Sequence, residues 1–269
     1  MKHGSLFSGI GGFDLAAEWM GWENVFHCEW NEFGQKILKY YWPEAKSYAD
    51  ITKTDFSIHR GKIDILTGGF PCQPYSGAGK RLGKEDDRHL WPEMLRAIGE
   101  IQPSWVVGEN VRGLVNWNGG MVFHEVQADL EAEGFKVFPF LLPSSSVGTD
   151  HERYRIWFVA YSGCEPIAFP FLSGNNGQEN KREWEEKIGG SNRKFFEVAS
   201  VFNPVLKERM VASESPFNYD GFPRELDGIT VQEWTEQSLK GAGNAIVPQL
   251  AFQIFKTISL YDLQQTRPI

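Results

Sequence analysis

The sequence is poor in cysteine and has no long apolar run, and each absence excludes a class of protein. Its three cysteines include no Cys-x-x-Cys pair, which argues against a disulfide framework and against a structural zinc site. No apolar run approaches the length of a membrane span, and residues 1–4 lead into a predicted strand without the apolar core of a signal peptide. We therefore expect a cytoplasmic protein with no metal site and no membrane contact.

The chain also lacks a positive net charge. Its formal charge is −8 and its pI is near 5.4, which argues against a surface that binds a polyanion everywhere. A local basic cleft can still bind phosphates on an acidic chain, so a nucleic-acid enzyme is not excluded. The 269 residues, 41% hydrophobic and 23% charged, suffice for one α/β domain with a small insert.

The first recognisable unit is a predicted strand over residues 3–7, a glycine-rich turn, and a predicted helix over residues 13–20. Glycines let a cofactor approach the backbone, and the helix N-terminus offers free N–H groups, so this layout is typical of a nucleotide-type cofactor site. The turn Gly9-Ile10-Gly11-Gly12 is G-x-G-G, which differs from the G-x-G-x-x-G of dinucleotide sites.

The next two predicted strands end in residues suited to a nucleoside. Glu29 follows strand 25–28, where a carboxylate can accept from ribose hydroxyls, and Trp30 can stack on an adenine. The alternatives are a surface glutamate and a core tryptophan. Asn31 is predicted to cap a helix that runs to about residue 41. Asp50 follows a short third strand and suits either an adenine amino group or the cap of a turn.

Cys72 lies between two prolines after the short apolar run 63–66 and two glycines. The run is predicted to be a buried strand, and the prolines stiffen the loop that follows it. A thiol held rigidly at that edge of an α/β sheet is a candidate nucleophile, although a buried, inert thiol in a tight turn is the alternative. Residues 77–84 form a basic, glycine-rich loop that suits either a phosphate backbone or a solvated connection.

A second group of candidate residues follows the predicted helix 87–101. Glu109 comes directly after strand 103–108, where burial beside Val and Trp raises a carboxyl pKa; a surface glutamate is the alternative. Arg153 and Arg155 alternate, so they share one strand face and suit a phosphate or a carboxylate, or else two surface salt bridges. Residues 121–134 are predicted to be helical, and residues 135–142 and 154–160 to be neighbouring strands.

The composition changes from about residue 161, and periodicity stays poor to about residue 237. We interpret residues 161–237 as a small irregular insert domain, with residues 1–160 and 238–269 forming the main domain. A last apolar helix ends near residue 260 and is predicted to pack on the main sheet through Leu250, Phe252, Ile254, Phe255 and Ile258.

Taken in order, these stretches resemble the DNA (cytosine-5)-methyltransferases of the short bacterial or phage type. Pro-Cys-Gln at a strand end, followed by Glu-Asn-Val, is a highly specific combination. The matching stretches cover most of the chain and are Leu6-Phe7-Ser8-Gly9-Ile10-Gly11-Gly12-Phe13, Glu29-Trp30, Asp50-Ile51, Gly69-Phe70-Pro71-Cys72-Gln73-Pro74, Glu109-Asn110-Val111, Arg153-x-Arg155 and Gly243-Asn244-Ala245-Ile246-Val247-Pro248. Two stretches depart from the family: His151 replaces the usual Gln of the Q-x-R-x-R motif, and residues 161–237 are short for a target-recognition region, with residues 216–223 standing in for the penultimate motif.

The resemblance implies an α/β fold, with a Rossmann-like mixed sheet, helices on both faces, and a small irregular target-recognition domain at residues 161–237. It implies S-adenosylmethionine as the cofactor. The implied cofactor-binding residues are Phe7, Ser8, Gly9, Gly11, Gly12, Glu29, Trp30, Asp50, Ile51, Gly69, Pro71, Asn244 and Ile246.

The resemblance also implies a reaction and its partners. Cys72 attacks C6 of a cytosine flipped out of duplex DNA, Glu109 hydrogen-bonds N3, and Arg153 and Arg155 hold the base carbonyl or the target phosphate. The loop 77–84 closes over the flipped base. The implied DNA-contacting residues are Gln73, Ser76, Lys80 and Arg81. We expect a monomer, and the family leaves open a cognate restriction endonuclease that acts on the same site.

Three other functions compete with this one. An RNA-modifying relative would carry a Cys-Phe-Thr tripeptide, which the sequence lacks. A silent module that only binds cofactor and DNA would be favoured by loss of Cys72 or Glu109, and both residues are present. An NAD-type oxidoreductase is disfavoured by the G-x-G-G turn and by the combination of Cys72 with Glu109.

Overall fold

Seven strands form one mixed sheet in the computed structural model of the protein, which describes residues 1–71, 90–147, 153–163, 236–237, 240–241 and 243–265. The order across the sheet is β3-β2-β1-β4-β5-β7-β6. Neighbours from β3 to β5 pair in parallel, whereas β7 pairs antiparallel with both β5 and β6. The strands are β1 Lys2–Leu6, β2 Glu23–Cys28, β3 Lys46–Tyr48, β4 Ile65–Gly68, β5 Trp105–Val111, β6 Lys136–Pro143 and β7 Tyr154–Tyr161.

Helices of eight or more residues accompany the sheet in the described part of the chain. They are α1 Gly12–Trp19, α2 Glu32–Tyr41, α3 Trp91–Ile101, α4 Met121–Ala132 and α5 Pro248–Gln265. Asn31 caps α2 as expected, because its side chain accepts a hydrogen bond from the Gly34 N–H. Within the described ranges, no helix combines the length and the apolar character needed to cross a bilayer.

Helices cover both faces of the sheet, because consecutive strand residues point to opposite sides. On β5, Val106 belongs to the core that α3 and α4 cover. Trp105 and Val107 belong to the core that α1 and α5 cover. The α5 helix contributes Leu250, Phe255 and Ile258 as expected, while Phe252 and Ile254 are only partly buried. This architecture confirms the expected fold class for the described part of the chain.

Several element boundaries differ from the sequence-based expectation. The β5 strand runs from Trp105 to Val111, so Glu109 lies within it rather than directly after it, and α5 runs on to Gln265. The β4 strand begins at Ile65, two residues later than the apolar run, although Ile63 is still buried. Helix α3 begins at Trp91 with Leu90 at its N-cap, and Pro92 occupies the first turn, where its missing N–H needs no partner. Residues 87–89, which were also expected to be helical, lie outside the described residues. The same holds for residues 164–235, almost all of the expected insert domain.

Candidate active site

The carboxyl ends of the five parallel strands meet at one edge of the sheet, which is where open α/β sheets bind ligands. The segments that follow β1, β2, β3 and β4 carry the expected cofactor residues up to Pro71. Residues that are distant along the chain therefore share one edge of the molecule. The structure brings these candidates together as the sequence pattern implied.

The segment after β1 is a tight turn made by left-handed backbone. Gly9 and Gly11 have φ of 58° and 87°, and Phe7 has φ of 51°, which is unusual for a residue with a side chain. The Ser8 hydroxyl is buried and donates to the Ser5 carbonyl, and it also accepts from the last backbone N–H of β2 at 3.2 Å. The turn is therefore tied to both neighbouring strands, and α1 begins directly behind it.

The closing motif returns to this turn from the far end of the chain. A Cβ added to Gly12 would lie 2.8 Å from both Cβ and the carbonyl oxygen of Ile246, so only glycine fits. A Cβ added to Gly69 would lie 3.3 Å from Ile246 Cδ1. Ile246 is buried between these two glycines, whereas Asn244 is exposed. Of the two expected residues of the closing motif, Ile246 therefore packs against the glycine-rich turn and against Gly69.

Glu29 binds the glycine-rich turn directly. Its Oε2 accepts from the Gly9 N–H at 2.6 Å, and its Oε1 accepts from the Asn31 N–H at 2.7 Å. Burial raises the pKa of Glu29, while these backbone N–H groups act in the opposite direction. A carboxylate has lone pairs beyond those two bonds, so ribose hydroxyls can still be accepted. The neighbouring Trp30 is 73% exposed, so its ring is accessible from solvent.

Asp50 caps a turn, which is the alternative that the sequence left open. Its Oδ1 accepts from the Thr52 N–H at 3.0 Å and the Thr52 hydroxyl at 2.7 Å, and its Oδ2 pairs with Lys53 Nζ at 3.1 Å. The Thr52 and Lys53 contacts lower the pKa of Asp50. Ile51 is buried at the start of this 3₁₀ turn, which follows the carboxyl end of β3.

Gly34 is a site residue that the sequence analysis missed. A Cβ on Gly34 would lie 2.6 Å from the Gly9 carbonyl oxygen and 2.9 Å from Glu29 Cγ. Helix α2 can therefore approach the glycine-rich turn only because this position carries no side chain. A glycine in the first turn of a helix that already has a good cap was the available signal, since glycine weakens a helix unless close packing requires it.

Glu109 is the titratable group at the centre of the site. It lies within β5, 8% exposed, and its Oε1 pairs with Arg155 Nε at 3.0 Å. Burial raises the pKa of Glu109 to about 7, although the Arg155 and Arg153 guanidinium groups act in the opposite direction. At neutral pH this carboxyl is therefore poised between donating and accepting a hydrogen bond.

Arg153 precedes β7 and approaches the same carboxyl. Its backbone pairs with Ser144, since its N–H donates to the Ser144 hydroxyl and its carbonyl accepts from the Ser144 N–H. Its Nε is buried and has no hydrogen-bond partner among the described residues. Burial lowers the pKa of Arg153, and the nearby Arg155 cation adds to this effect. The Arg153 Nε–H is therefore a buried donor near Glu109 with which an incoming acceptor can pair.

Asn110 connects this group to the segment that enters the loop of Cys72. Its Nδ2 donates to the Phe70 carbonyl at 3.0 Å, and both residues are buried. The sequence analysis used Asn110 only as part of a motif and assigned it no contact. Pro71 is the last described residue of this segment. The expected nucleophile Cys72 and the expected DNA contacts Gln73, Ser76, Lys80 and Arg81 lie outside the described residues, as do residues 77–84, His151 and residues 216–223.

In the part of the chain that the structure describes, no cluster of His, Cys, Asp or Glu could hold a metal ion. The described site combines a glycine-rich turn, a carboxylate that accepts from that turn, and an exposed indole. Two strands from β1, at β5, the site also holds the buried Glu109 carboxyl, with the guanidinium groups of Arg155 and Arg153 nearby. Such an edge can bind a nucleoside-containing cofactor on one side and protonate or hydrogen-bond a polar heterocycle on the other.

Known proteins that the chain resembles are bacterial methyltransferases. It is 37% identical over 166 residues to the Type II methyltransferase M.NgoBI of Neisseria gonorrhoeae, covering 61% of this chain and 52% of that protein. It is 42% identical over 134 residues to M.PspPI of Psychrobacter sp. (strain TA137), covering 49% of this chain and 32% of that protein. The chain therefore spans about half the length, or less, of these curated relatives.

Solved structures share the fold over nearly the whole chain. Dnmt2 methyltransferase of S. pombe has a TM-score of 0.61 at 15% identity, covering 98% of this chain and 99% of that one. A Dnmt2 variant from Spodoptera frugiperda has a TM-score of 0.60 at 18% identity, covering 95% and 98%. These likenesses concern the fold.

The family itself is shown by a match to a sequence model. The model described as C-5 cytosine-specific DNA methylase matches residues 1–195, which include the glycine-rich turn, Cys72, Glu109 and both arginines. This span is more than half of the chain and contains most of the site described above. The protein therefore belongs to the C-5 cytosine-specific DNA methylase family.

Proposed function

We propose that the protein transfers a methyl group from S-adenosylmethionine to C5 of a flipped-out cytosine in a specific duplex DNA sequence. The observation that carries this proposal is the buried Glu109, held by Arg155 at 3.0 Å with its pKa raised to about 7. That group lies one strand away from the segment that leads into Cys72. Family membership and the Type II methyltransferase names of the relatives support the same reaction.

The residues at the cofactor edge fit S-adenosylmethionine. The left-handed turn at Gly9 leaves open space, since a Cβ there would meet nothing within 4 Å. Glu29 would accept from the ribose hydroxyls, Trp30 would cover the adenine, and the Asp50–Ile51 turn would border its edge. When bound, this cofactor supplies an electrophilic methyl group. The chain's own residues must therefore make the cytosine carbon nucleophilic.

That activation is assigned to Cys72 and Glu109. The Cys72 thiolate adds to C6, and the electron pair released by this addition makes C5 enamine-like. A protonated Glu109 donates to N3 and stabilises the developing charge, while Arg155 and Arg153 hold the base carbonyl or the target phosphate. After C5 takes the methyl group, loss of the C5 proton restores the double bond and expels the Cys72 thiolate. The base must leave the duplex for the thiol to reach C6.

The remaining assignments follow from this function. We infer that residues 1–160 and 238–269 carry catalysis and that residues 161–237 read the target sequence. Gln73, Ser76, Lys80 and Arg81 would contact the DNA around the flipped base. The chain would act as a cytoplasmic monomer, and the Type II names of the relatives support a cognate restriction endonuclease with the same target.

The test is transfer of labelled methyl from S-adenosylmethionine to unmethylated duplex DNA by the native chain and by Cys72→Ser. Product mapping to 5-methylcytosine that disappears in the variant would support both the reaction and the nucleophile. Cys28→Ala is the matched control, because it removes a thiol whose side chain lies in the core on β2. Cofactor binding without incorporation into any DNA would instead favour an RNA substrate or a silent binding module. Equal incorporation by Cys72→Ser would contradict the covalent mechanism.

A further inference from the structure

We propose that Arg96, on α3, is a positioning residue that holds the cofactor-binding turn at residues 50–54; this inference rests on the proposed function. Arg96 Nη2 donates to the Ile51 carbonyl at 2.5 Å, and Arg96 Nη1 donates to the Thr54 carbonyl at 3.2 Å. The two acceptors lie at the beginning of the turn and just after its end. One planar guanidinium therefore spans the whole turn.

Two glutamates of the same helix hold that guanidinium in place. Arg96 Nε donates to Glu93 Oε2 at 2.9 Å, and Nη1 donates to Glu100 Oε1 at 2.6 Å. The other oxygen of Glu100 accepts from the Phe56 N–H at 2.8 Å. The spacings of three and four residues place these carboxylates beside Arg96 on one helix face. Side chains of helix α3 thus form hydrogen bonds both with the turn and with the segment that follows it.

The turn needs such external support because the strand before it is short and marginal. The β3 strand contains three residues and, among the described residues, lies at the edge of the sheet and pairs with β2 alone. Three ladder residues determine the direction of the following backbone poorly, and a turn that borders a ligand must be held to within a fraction of an ångström. Contacts from α3 supply the constraint that a second neighbouring strand would otherwise provide.

The contact pattern separates a positioning role from a merely stabilising one. The Arg96, Glu93 and Glu100 side chains are 33%, 31% and 25% exposed, and ion pairs at such exposure contribute little to global stability. The bonds to the Ile51 and Thr54 carbonyls, in contrast, act directly on backbone at the cofactor edge. A lysine has one compact ammonium and no planar fork, so it cannot reproduce the two carbonyl bonds together with the glutamate contacts.

The experiment compares the native chain, Arg96→Met and Arg96→Lys by calorimetric binding of S-adenosylhomocysteine and by steady-state methyl transfer to DNA. We expect Arg96→Met to raise the Kd for S-adenosylhomocysteine and the KM for S-adenosylmethionine about tenfold, from the loss of two charge-assisted hydrogen bonds. Arg96→Lys should recover only part of this loss. The kcat at saturating cofactor and the affinity for DNA should stay within about twofold, since Glu109 and its partners are untouched.

Glu93→Gln is the matched control, because it weakens the ion pair at Nε and leaves both carbonyl bonds in place. It should change the Kd by less than about twofold. A double-mutant cycle with Asp50→Ala tests the route of the effect: if Arg96 acts through the turn, the two substitutions should be less than additive in Kd.

The outcomes separate the two proposals. Native chain that binds S-adenosylhomocysteine, with an unchanged Kd in Arg96→Met and only a lower Tm, would overturn the positioning role alone. Additive effects in the cycle would also overturn it, because they would show that Arg96 does not act through the turn. Native chain that binds no S-adenosylhomocysteine and transfers no methyl group would overturn the proposed function and this role with it.

Discussion

Asn110 Nδ2 donates a hydrogen bond of 3.0 Å to the carbonyl oxygen of Phe70, and so joins the end of β5 to the segment that enters the loop of Cys72. The same amide accepts from the Val111 N–H through Oδ1 at 2.8 Å, which fixes its orientation. Both Asn110 and Phe70 are buried, so water cannot replace either bond cheaply. One side chain therefore ties the strand that carries Glu109 to Phe70, two residues before the expected nucleophile.

Replacing Asn110 by Asp should impair catalysis more than binding. An ionised Asp cannot donate to the Phe70 carbonyl, and leaving a buried acceptor unpaired costs about 1–3 kcal/mol. We expect kcat to fall by about tenfold or more while the KM for S-adenosylmethionine changes little, as measured by methyl transfer to DNA. Asn116→Asp, which adds the same charge at an exposed position after β5, is the control. Equal kcat values for Asn110→Asp and the native chain would contradict this role of the amide.

The pH dependence of methyl transfer should report the protonation of Glu109. Its pKa lies near 7, so the protonated donor is present below that pH and is lost as pH rises through it. The thiolate that the proposed mechanism requires of Cys72 acts in the opposite direction, which predicts a bell-shaped profile of kcat/KM. Glu109→Gln keeps a hydrogen-bond donor at this position but has no acidic proton that it could transfer to the base. It should lower kcat about 10²-fold or more and abolish the alkaline decline, as followed by single-turnover rates across pH.

Removing the cation beside Glu109 should move the alkaline decline to higher pH. Arg155 favours the ionised carboxylate, so its loss in Arg155→Met raises the pKa of Glu109 further. The same single-turnover profile measures the shift. Arg112→Met is the matched control: Arg112 is exposed, and its guanidinium lies 5.2 Å from the centre of the Tyr154 ring. A decline that moves to lower pH in Arg155→Met would refute the assignment of that limb to Glu109.

Asp14 should make folding stability fall as pH rises. The side chain is fully buried in α1, neither carboxylate oxygen has a hydrogen-bond partner among the described residues, and the nearby Ser5 hydroxyl donates to Ser8. Burial raises the pKa of Asp14 from 3.8 to about 7, an effect that Ser5 offsets only in part. The folded state therefore binds a proton that the unfolded state has released. The stabilisation that neutral Asp14 gives the folded state is therefore fully present below pH 3.8 and is lost as the pH rises to about 7.

The measurement is the free energy of unfolding in urea for the native chain and for Asp14→Asn between pH 5 and 8. Between pH 5 and about pH 7 the expected decline is about 3 kcal/mol at 1.36 kcal/mol per pKa unit. Buried His3, whose pKa is lowered to about 4, gives a slope of opposite sign below pH 6.5, so the difference between the two proteins is the quantity to compare. Glu44→Gln at an exposed position is the control. A difference that does not vary with pH would show that Asp14 is not the titrating group.

Two glycines inside helices should respond oppositely to alanine. In Gly34→Ala the new methyl group would meet the Gly9 carbonyl at 2.6 Å and push the glycine-rich turn, so we expect loss of S-adenosylhomocysteine binding in calorimetry. In Gly99→Ala the closest atom, at 3.3 Å, is the flexible end of Glu133. That change should alter the free energy of unfolding by less than about 1 kcal/mol and leave binding intact. Comparable affinity in both variants would disprove the close approach at Gly34.

Local patterns were enough to predict most of the elements. The strand, glycine turn and helix at the N-terminus, the Asn31 cap and the neighbouring strands β6 and β7 were all expected, because each depends on residues close in sequence or on simple alternation. The errors were shifts of a few residues in element ends, as at the starts of β4 and α3, the end of α5, and the end of β5, which extends past Glu109. The candidate residues at the cofactor edge were also expected, since parallel strands bring their carboxyl ends to one side of a sheet.

The sequence by itself determined the elements, the family motifs and the residue types at the sheet edge, because these depend on short-range preferences and on order along the chain. Tertiary structure alone decided which distant atoms meet. Examples are Ile246 against Gly12, Asn110 on the Phe70 carbonyl, and Arg96 on the Ile51 carbonyl. It also decided the pKa of Glu109, which balances burial against Arg155 of β7 and Arg153 just before that strand. Periodicity cannot supply such contacts, because they join positions from about 40 to more than 200 residues apart whose distance depends on how strands and helices pack.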